Sequence, residues 1–361
     1  MVLIKTYQKY LIKKFIHNFL IIFFVFFILG FIMNFLRELR FFFDIDISLY
    51  YPLLLVFLDL PSQLFQIIPF VIIISVILLF IQLNDKGEIV IFKNNGLSNL
   101  KILNNIALTS FFIGIFSVLI FYNFSAILKF NYLNIKLEYT KDDKFLASIT
   151  ENGIWIKDVN EENINFINAK KIELNHLIEA EITLLDNEFN YLGTIVADKI
   201  NIEKNEWVLK NTQLISLDNT INEYDEMKFY SNFNYKKINN LYSDLSSLTL
   251  WGLVKLKNDY NKVNYSTTEV DYHFQKVVAY PLYLTVMAIL ITTIIFNMKI
   301  DNRKIQLIIL GIFISVLIYY INDFFGIIGK NEKVPIYIAI WGPQLILFII
   351  SIIGLLKLNE K

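Results

Sequence analysis

LLLVFLDLPSQLFQIIPFVIIISVILLFIQL, residues 53–83, is an almost unbroken apolar run, long enough to cross a bilayer with residues to spare. A helix needs about 20 mainly apolar residues to span a hydrocarbon core of about 30 Å. Working outward from this run, five more segments meet that length: Phe15–Leu36, Ile102–Phe124, Tyr272–Met298, Ile305–Asn322 and Val334–Leu356. The sequence therefore predicts a polytopic α-helical membrane protein with six transmembrane helices, three on each side of a long polar stretch. The first run is too long for a signal peptide and no small-residue cleavage site follows it, so it is expected to stay in the mature protein.

Composition agrees and narrows the chemistry. Fifty-five percent of the 361 residues are hydrophobic, too many for an ordinary soluble chain. Thirty-three basic residues balance thirty-three acidic ones, so no overall positive field recommends a nucleic-acid partner. With no cysteine, disulfide frameworks, thiolate metal sites and cysteine nucleophiles fall away together. His17, His176 and His273 lie in three unrelated regions. No H-E-x-x-H, phosphate loop or G-x-S-x-G elbow occurs. The expectation is a chain that is not an enzyme and carries no metal or cofactor of its own.

Orientation follows from lysine and arginine in the short loops, which favour the cytoplasmic side. Lys5, Lys9, Lys13 and Lys14 precede the first span, Lys86, Lys93 and Lys101 separate the second from the third, and Lys299, Arg303 and Lys304 separate the fourth from the fifth. All fall on one side. Both termini are then cytoplasmic and the stretch from Lys129 to Asp271 lies outside. Arg37, Arg40, Lys330 and Lys333 run against the rule. Residues 1–14 read as an amphipathic interfacial helix, with Lys5, Lys9 and Lys13 at helical spacing and Leu3, Tyr7 and Tyr10 forming an apolar stripe. The predicted organisation is thus 1–14 at the interface, spans one to three in 15–128, an outer domain in 129–271, and spans four to six in 272–361.

The spans are not uniform rods. Asp59, Ser62, Gln63 and Gln66 stand at i, i+3, i+4 and i+7, making one face of the second span polar. An ionised carboxylate at the bilayer centre costs about 2.5–3.5 kcal/mol on insertion scales, so this face should turn toward protein or water. Pro61 and Pro69 predict kinks in the same helix. The fifth span repeats the theme with Ser315, Tyr319 and Asn322. A polar cavity face of Asp59, Ser62, Gln63, Gln66, Tyr319 and Asn322, open to the outer side, is expected. A proton relay through Asp59 competes with it, but no second acid or histidine lies deep in another span to continue the chain. In the third span, Ala107, Ser110, Gly114 and Ser117 draw a small-residue stripe, which serves close packing either within the chain or between subunits.

Between the span clusters, polar and apolar residues alternate at period two in Gly153–Asp158, Asn163–Ala169, Ile178–Leu184, Thr194–Glu203 and Trp207–Ser216. Such alternation marks half-buried strands. Their spacing suits an all-β domain, an antiparallel sandwich or jelly roll. Leu241–Tyr260 reads as a helical return toward the membrane.

The loop after the second span, Asn84-Asp85-Lys86-Gly87-Glu88-Ile89-Val90-Ile91-Phe92-Lys93-Asn94-Asn95-Gly96-Leu97-Ser98, resembles the S-E-L-x-x-x-x-x-x-G-[IL]-S signature of the LptF/LptG permeases, the membrane subunits of the lipopolysaccharide-exporting ABC transporter. The spacing from Glu88 to Gly96 and Ser98 agrees, and Gly87 replaces the common serine. The resemblance extends over nearly the whole chain, through Pro69 in span two, the inserted domain, and Pro281 early in span four. Asn152-Gly153-Ile154-Trp155-Ile156-Lys157-Asp158 resembles the opening of the outer domain in LptG-type subunits, and Tyr320–Gly326 is similar to the end of their fifth span. The likeness is closer to LptG than to its paralogue LptF. Asn34 stands where LptG-type subunits often carry a lysine.

The resemblance implies a permease in the bacterial inner membrane that extracts lipopolysaccharide and passes it to a periplasmic bridge, with the outer domain in the periplasm as a jelly roll. It implies four kinds of partner: an LptB-type ATPase dimer, an LptF-type permease, an LptC-type periplasmic partner and lipopolysaccharide itself. ATP hydrolysis belongs to the ATPase. Residues 85–98 become the coupling helix, with Glu88, Phe92, Gly96 and Ser98 as ATPase-coupling residues. Asn34, Arg37 and Arg40 become the contacts for lipopolysaccharide, because an arginine fork suits phosphate. The alternative is an ATPase-coupled mechanotransmitter or membrane scaffold that moves no lipid; such chains usually have four spans and carry the outer domain after the first.

Overall fold

The computed structural model describes residues 5–43, 48–139, 154–159, 163–173, 175–186, 188–218, 220–233, 235, 244–262, 266–298 and 304–359. Leu3, Asn152, Gly153, Lys299, Arg303 and 241–243 of the expected helical return lie outside them. The order of elements is α1 (Thr6–Phe41), α2 (Tyr50–Asp85), α3 (Glu88–Asn94), α4 (Asn99–Phe116), a π turn (Ser117–Tyr122), α5 (Asn123–Tyr139), strands β1 to β6, then α6 (Leu250–Lys262), α7 (Thr268–Asn297), α8 (Lys304–Lys330) and α9 (Ile336–Asn359). All six apolar runs are helices long enough to cross a membrane, the third formed by α4, the π turn and α5 together. The chain divides into two compact units, one holding the spans and one holding the sheet.

In the helical unit α2 is the centre: α1, α7 and α8 all pack against it, and Leu55, Val56, Ile72, Ile73, Val76 and Ile77 are fully buried. Of its interior prolines, Pro61 and Pro69, the second frees a carbonyl that finds another partner. Pro69 has no N–H to give the carbonyl of Phe65, four residues earlier. The Tyr280 hydroxyl of α7 donates to that carbonyl instead, at 2.5 Å, while its ring stacks on Phe65 with centroids 4.3 Å apart. A kink that would leave a bare carbonyl in hydrocarbon is thereby satisfied by a neighbouring helix.

The small-residue stripe of the third span serves contact within the chain. Ser110 and Ser117 are buried, α4 packs on α7, and a Cβ on Gly114 would sit 2.5 Å from the backbone Cα of Pro281. Only glycine permits that approach, so the stripe is explained without a second subunit.

The other unit is a single six-stranded antiparallel sheet in the order β1-β2-β3-β4-β5-β6. Its strands are β1 (Ile154–Val159), β2 (Asn163–Glu173), β3 (His176–Asp186), β4 (Tyr191–Asn201), β5 (Glu206–Ser216) and β6 (Ile221–Tyr230). The inserted all-β domain is as expected. Its strand order is that of consecutive hairpins, and among the described strands there is neither a second facing sheet nor the crossing connection of a full jelly roll. The sixth strand was not legible in the sequence.

One apolar face supplies the core, with Ile167, Leu177, Ile182, Ile200, Trp207 and Leu209 wholly buried. Strict alternation would put Leu177 and Ala180 on opposite faces, yet both are buried, as are Ala197 and Ile200. The phase shifts along one line crossing the strands. There Glu179 (φ 49°) and Asn211 (φ 51°) take left-handed backbone, and Asn211 donates to Asp198 at 3.1 Å. This crease lets both halves of each long strand face one core. The chain beyond β6 closes over it: Trp207 Nε1 donates to the carbonyl of Phe233 at 2.8 Å. Buried Asp158 of β1 accepts from the backbone and side chain of Asn232 at 3.1 and 3.0 Å.

Candidate functional site

Two polar constellations stand out in the helical unit, at opposite ends of the α1–α2 pair. The first gathers α1, α2 and α5. Asp59, buried in α2, accepts from Arg37 of α1 through one carboxylate oxygen and from Lys129 of α5 through the other, both at 2.5 Å. Arg37 also reaches Glu38, fully buried, at 3.2 Å, and the Tyr132 hydroxyl donates to Glu38 at 3.0 Å. Gln63 donates to Asp59 at 2.7 Å and exchanges amide hydrogen bonds with Asn34 at 2.8 and 3.0 Å. Two acids therefore meet two cations, and the charges cancel. Breaking such a buried set by removing one partner costs about 3–5 kcal/mol, because the other charge is left in a medium that cannot solvate it.

This arrangement divides the residues read from sequence. Asp59 and Ser62 are buried and Gln63 is half-buried, while Gln66 is exposed. Asn34 is buried against Gln63, Arg37 keeps nearly half of its side chain exposed, and Arg40 is exposed. Tyr319 and Asn322 of α8 are not brought to Asp59. Asn322 donates to its own helix at the Ile318 carbonyl, 3.1 Å away, and the Tyr319 ring lies 6.2 Å from Phe70. Glu38, Lys129 and Tyr132 were missed. Glu38 lies just beyond the apolar run Phe15–Leu36 and Lys129 falls at the start of the expected outer domain; only the packing of three helices shows them to be one cluster. Glu38 is also the second buried acid whose absence had weighed against a relay through Asp59.

The second constellation is the loop between α2 and α4. The short helix α3 is framed by Gly87 (φ 67°) and Gly96 (φ 74°), both in left-handed backbone with open space around them. Gly87 has no side chain to cap α3; its left-handed backbone ends α2 instead, its N–H donating to the Asn84 carbonyl at 2.9 Å. Ser98 caps α4, its hydroxyl accepting from the Lys101 N–H at 3.3 Å. Phe92 is half-buried, and Val90 and Ile91 point outward, 60% and 55% exposed.

Glu88 is held within the chain. It accepts from Lys14 Nζ at 2.9 Å and from the Tyr10 hydroxyl at 2.7 Å, one on each oxygen. Lys14 also donates to the Tyr10 hydroxyl at 3.0 Å. Burial pushes the Glu88 carboxyl up, but the hydrogen bonds from Lys14 and Tyr10 and the charges of Lys14 and Lys86 outweigh it and hold the group below its ordinary value. Among the described residues no cluster of His, Asp and Glu has the form of a metal site.

The family model for the lipopolysaccharide export system permease LptF/LptG matches residues 9–357, which takes in every span, the loop carrying α3 and the inserted sheet. None of the curated proteins matches the chain.

Proposed function

The chain belongs to the LptF/LptG family of lipopolysaccharide export permeases, and from that premise we propose that it is an LptG-type half-transporter which lifts lipopolysaccharide from the inner membrane toward a periplasmic bridge. It is a multi-pass inner-membrane protein with a role in transport. The observation that carries the proposal is the coincidence of the family match over 9–357 with six spans and an all-β insert between the third and fourth. A mechanotransmitter of four spans has neither the count nor that placement.

In this reading both termini are cytoplasmic, as the lysines before α1 and around α3 favour, and the sheet is periplasmic. An LptB-type ATPase dimer meets the loop of α3, the segment holding Glu88, Phe92, Gly96 and Ser98, with Val90 and Ile91 as the exposed edge. An LptF-type permease completes the conduit and an LptC-type partner joins the outer domain. ATP hydrolysis stays with the ATPase, and this chain needs no cofactor. Arg40 and the open side of Arg37 meet the anionic head group, with Asn34 behind them. Gln66, Tyr319 and Asn322 contribute to the polar wall of the cavity.

Purification in mild detergent, with identification of co-purifying chains and bound lipid, tests the proposal. An ATPase, a second permease and lipopolysaccharide are expected. A chain that comes down only with itself, and carries no lipopolysaccharide, would sink it.

A further inference from the structure

Glu88 is the acid that the signature of the loop offers to an ATPase, yet in the structure both of its oxygens are taken within the chain. Its partners, Tyr10 and Lys14, lie 78 and 74 residues away in the first turns of α1. The contact is sheltered: the side chains of Lys14 and Glu88 keep only 13% and 19% of their surface exposed. Lys14 further stands over the Tyr10 ring, 5.0 Å from its centroid. Because Glu88 is the first residue of α3, this triad ties the start of the short helix to α1. Val90, about 200° round α3 from Glu88, and Ile91 stay exposed.

From α3 the connection continues along α1. Asn18 and Gln82 exchange amide hydrogen bonds at 3.2 and 3.0 Å, Asn34 and Gln63 do the same, and Arg37 grips Asp59. Polar pairs inside a membrane have no water to turn to, so α1 is held to α2 near both of its ends.

We propose that Tyr10 and Lys14 are positioning residues for the coupling helix, clamping it through Glu88 so that α1, α2 and α3 move as one piece when the ATPase moves the open edge of α3. Glu88 then links α3 to α1 within the segment that meets the ATPase. This rests on the reading that α3 meets an ATPase.

The test uses the complete complex reconstituted in vesicles containing lipopolysaccharide, with Lys14→Met, Glu88→Gln, their double variant, the charge swap Lys14→Glu with Glu88→Lys, and Tyr10→Phe as the mildest change. Two readouts are taken: lipid moved per ATP hydrolysed with ATPase subunits bound, and the distance between spin labels at the exposed positions 13 and 93, which needs no ATPase. Lys14→Met is expected to lower lipid moved per ATP by about threefold to tenfold with bound ATPase unchanged, Glu88→Gln to lower it at least as much, and the double variant to be no worse than Glu88→Gln alone. Both single variants broaden the label distance, the swap restores both readouts in part, and Tyr10→Phe gives a smaller loss of the same kind.

If Lys14→Met leaves lipid per ATP and the label distance as they were while Glu88→Gln loses bound ATPase, Glu88 serves the ATPase alone and the clamp is overturned. Losses that add in the double variant overturn it too, as does a broadened distance without any change in transport. If the unsubstituted complex binds no ATPase, the proposed function fails, and the label distance still decides whether the clamp exists.

Discussion

Asn18 of α1 and Gln82 of α2 face each other with their carboxamides in register, each donating to the other, at 3.2 and 3.0 Å. Each pair of this kind between membrane helices contributes about 0.6–2 kcal/mol, so its weight lies in register more than in strength. The cost of losing one partner is larger than the worth of the pair, because the half-buried Gln82 amide left behind loses its partner. Asn18→Leu is therefore expected to lower the melting temperature in detergent by more than the double change Asn18→Leu with Gln82→Leu. Equal or additive losses on thermal unfolding would show that the pair is incidental.

Tyr280→Phe removes the hydroxyl that serves the Phe65 carbonyl and is expected to cost about 1–3 kcal/mol. The cause is specific, since the carbonyl lacks a donor only because residue 69 is proline. Pro69→Ala made on top of Tyr280→Phe returns an N–H to the helix, so the double variant should melt higher than Tyr280→Phe alone. A double variant that melts lower than Tyr280→Phe would assign Pro69 a shape that an N–H cannot replace.

Asp59→Ala strands Lys129 in the bundle and leaves Arg37 only Glu38. We expect a loss of about 3–5 kcal/mol, seen as a collapse in the yield of monodisperse protein. Adding Lys129→Met removes one stranded cation and leaves Arg37 with Glu38, so part of the yield should return. Failure of the second change to help would place Lys129 in solvent rather than in the cluster.

In the sheet, Asp158→Ala removes the carboxylate that holds Asn232, and hydrogen bonds to a charged group carry about 1.5–3 kcal/mol. Limited proteolysis should open the chain beyond β6 first, with Asp158→Asn intermediate. Cleavage no faster than in the unsubstituted protein would mean that Trp207 alone secures that segment.

The lowered Glu88 carboxyl sets the sign of a pH effect on the clamp. A group whose pKa falls on forming its contacts contributes fully above its ordinary value, 4.5, and loses the contribution as pH falls through the lowered one. Facing it are Lys14, Tyr10 and Lys86. The label distance between positions 13 and 93 should hold steady from neutral pH to about pH 5 and broaden only in stronger acid. Broadening between pH 7 and pH 5 would assign the link to another group.

The membrane helices were legible because hydrophobicity over about 20 residues is a property of each segment by itself. Five strands were legible for a related reason, their period-two alternation. Strand β6 was not, because Ile221–Tyr230 carries Glu223, Asp225, Glu226 and Lys228 and is exposed along most of its length. An edge strand dressed in charge has no buried stripe to announce it. The polar face of α2 was legible as a pattern, but its destination was not: Asp59 turned to Arg37 and Lys129, and Tyr319 and Asn322 did not join it.

By itself the sequence determined the solvent and the layout of this protein. Six apolar runs must lie in a bilayer, the polar stretch between the third and fourth must fold outside it, and the Glu88-to-Ser98 spacing marks the loop of the permease family. Only the tertiary structure decided what each charge does. Glu88 and Lys14 stand 74 residues apart and Asp59 and Lys129 stand 70 apart, separations at which periodicity carries no information. In a medium that cannot solvate ions every buried charge must find its opposite, and helix packing alone determines which opposite lies within reach.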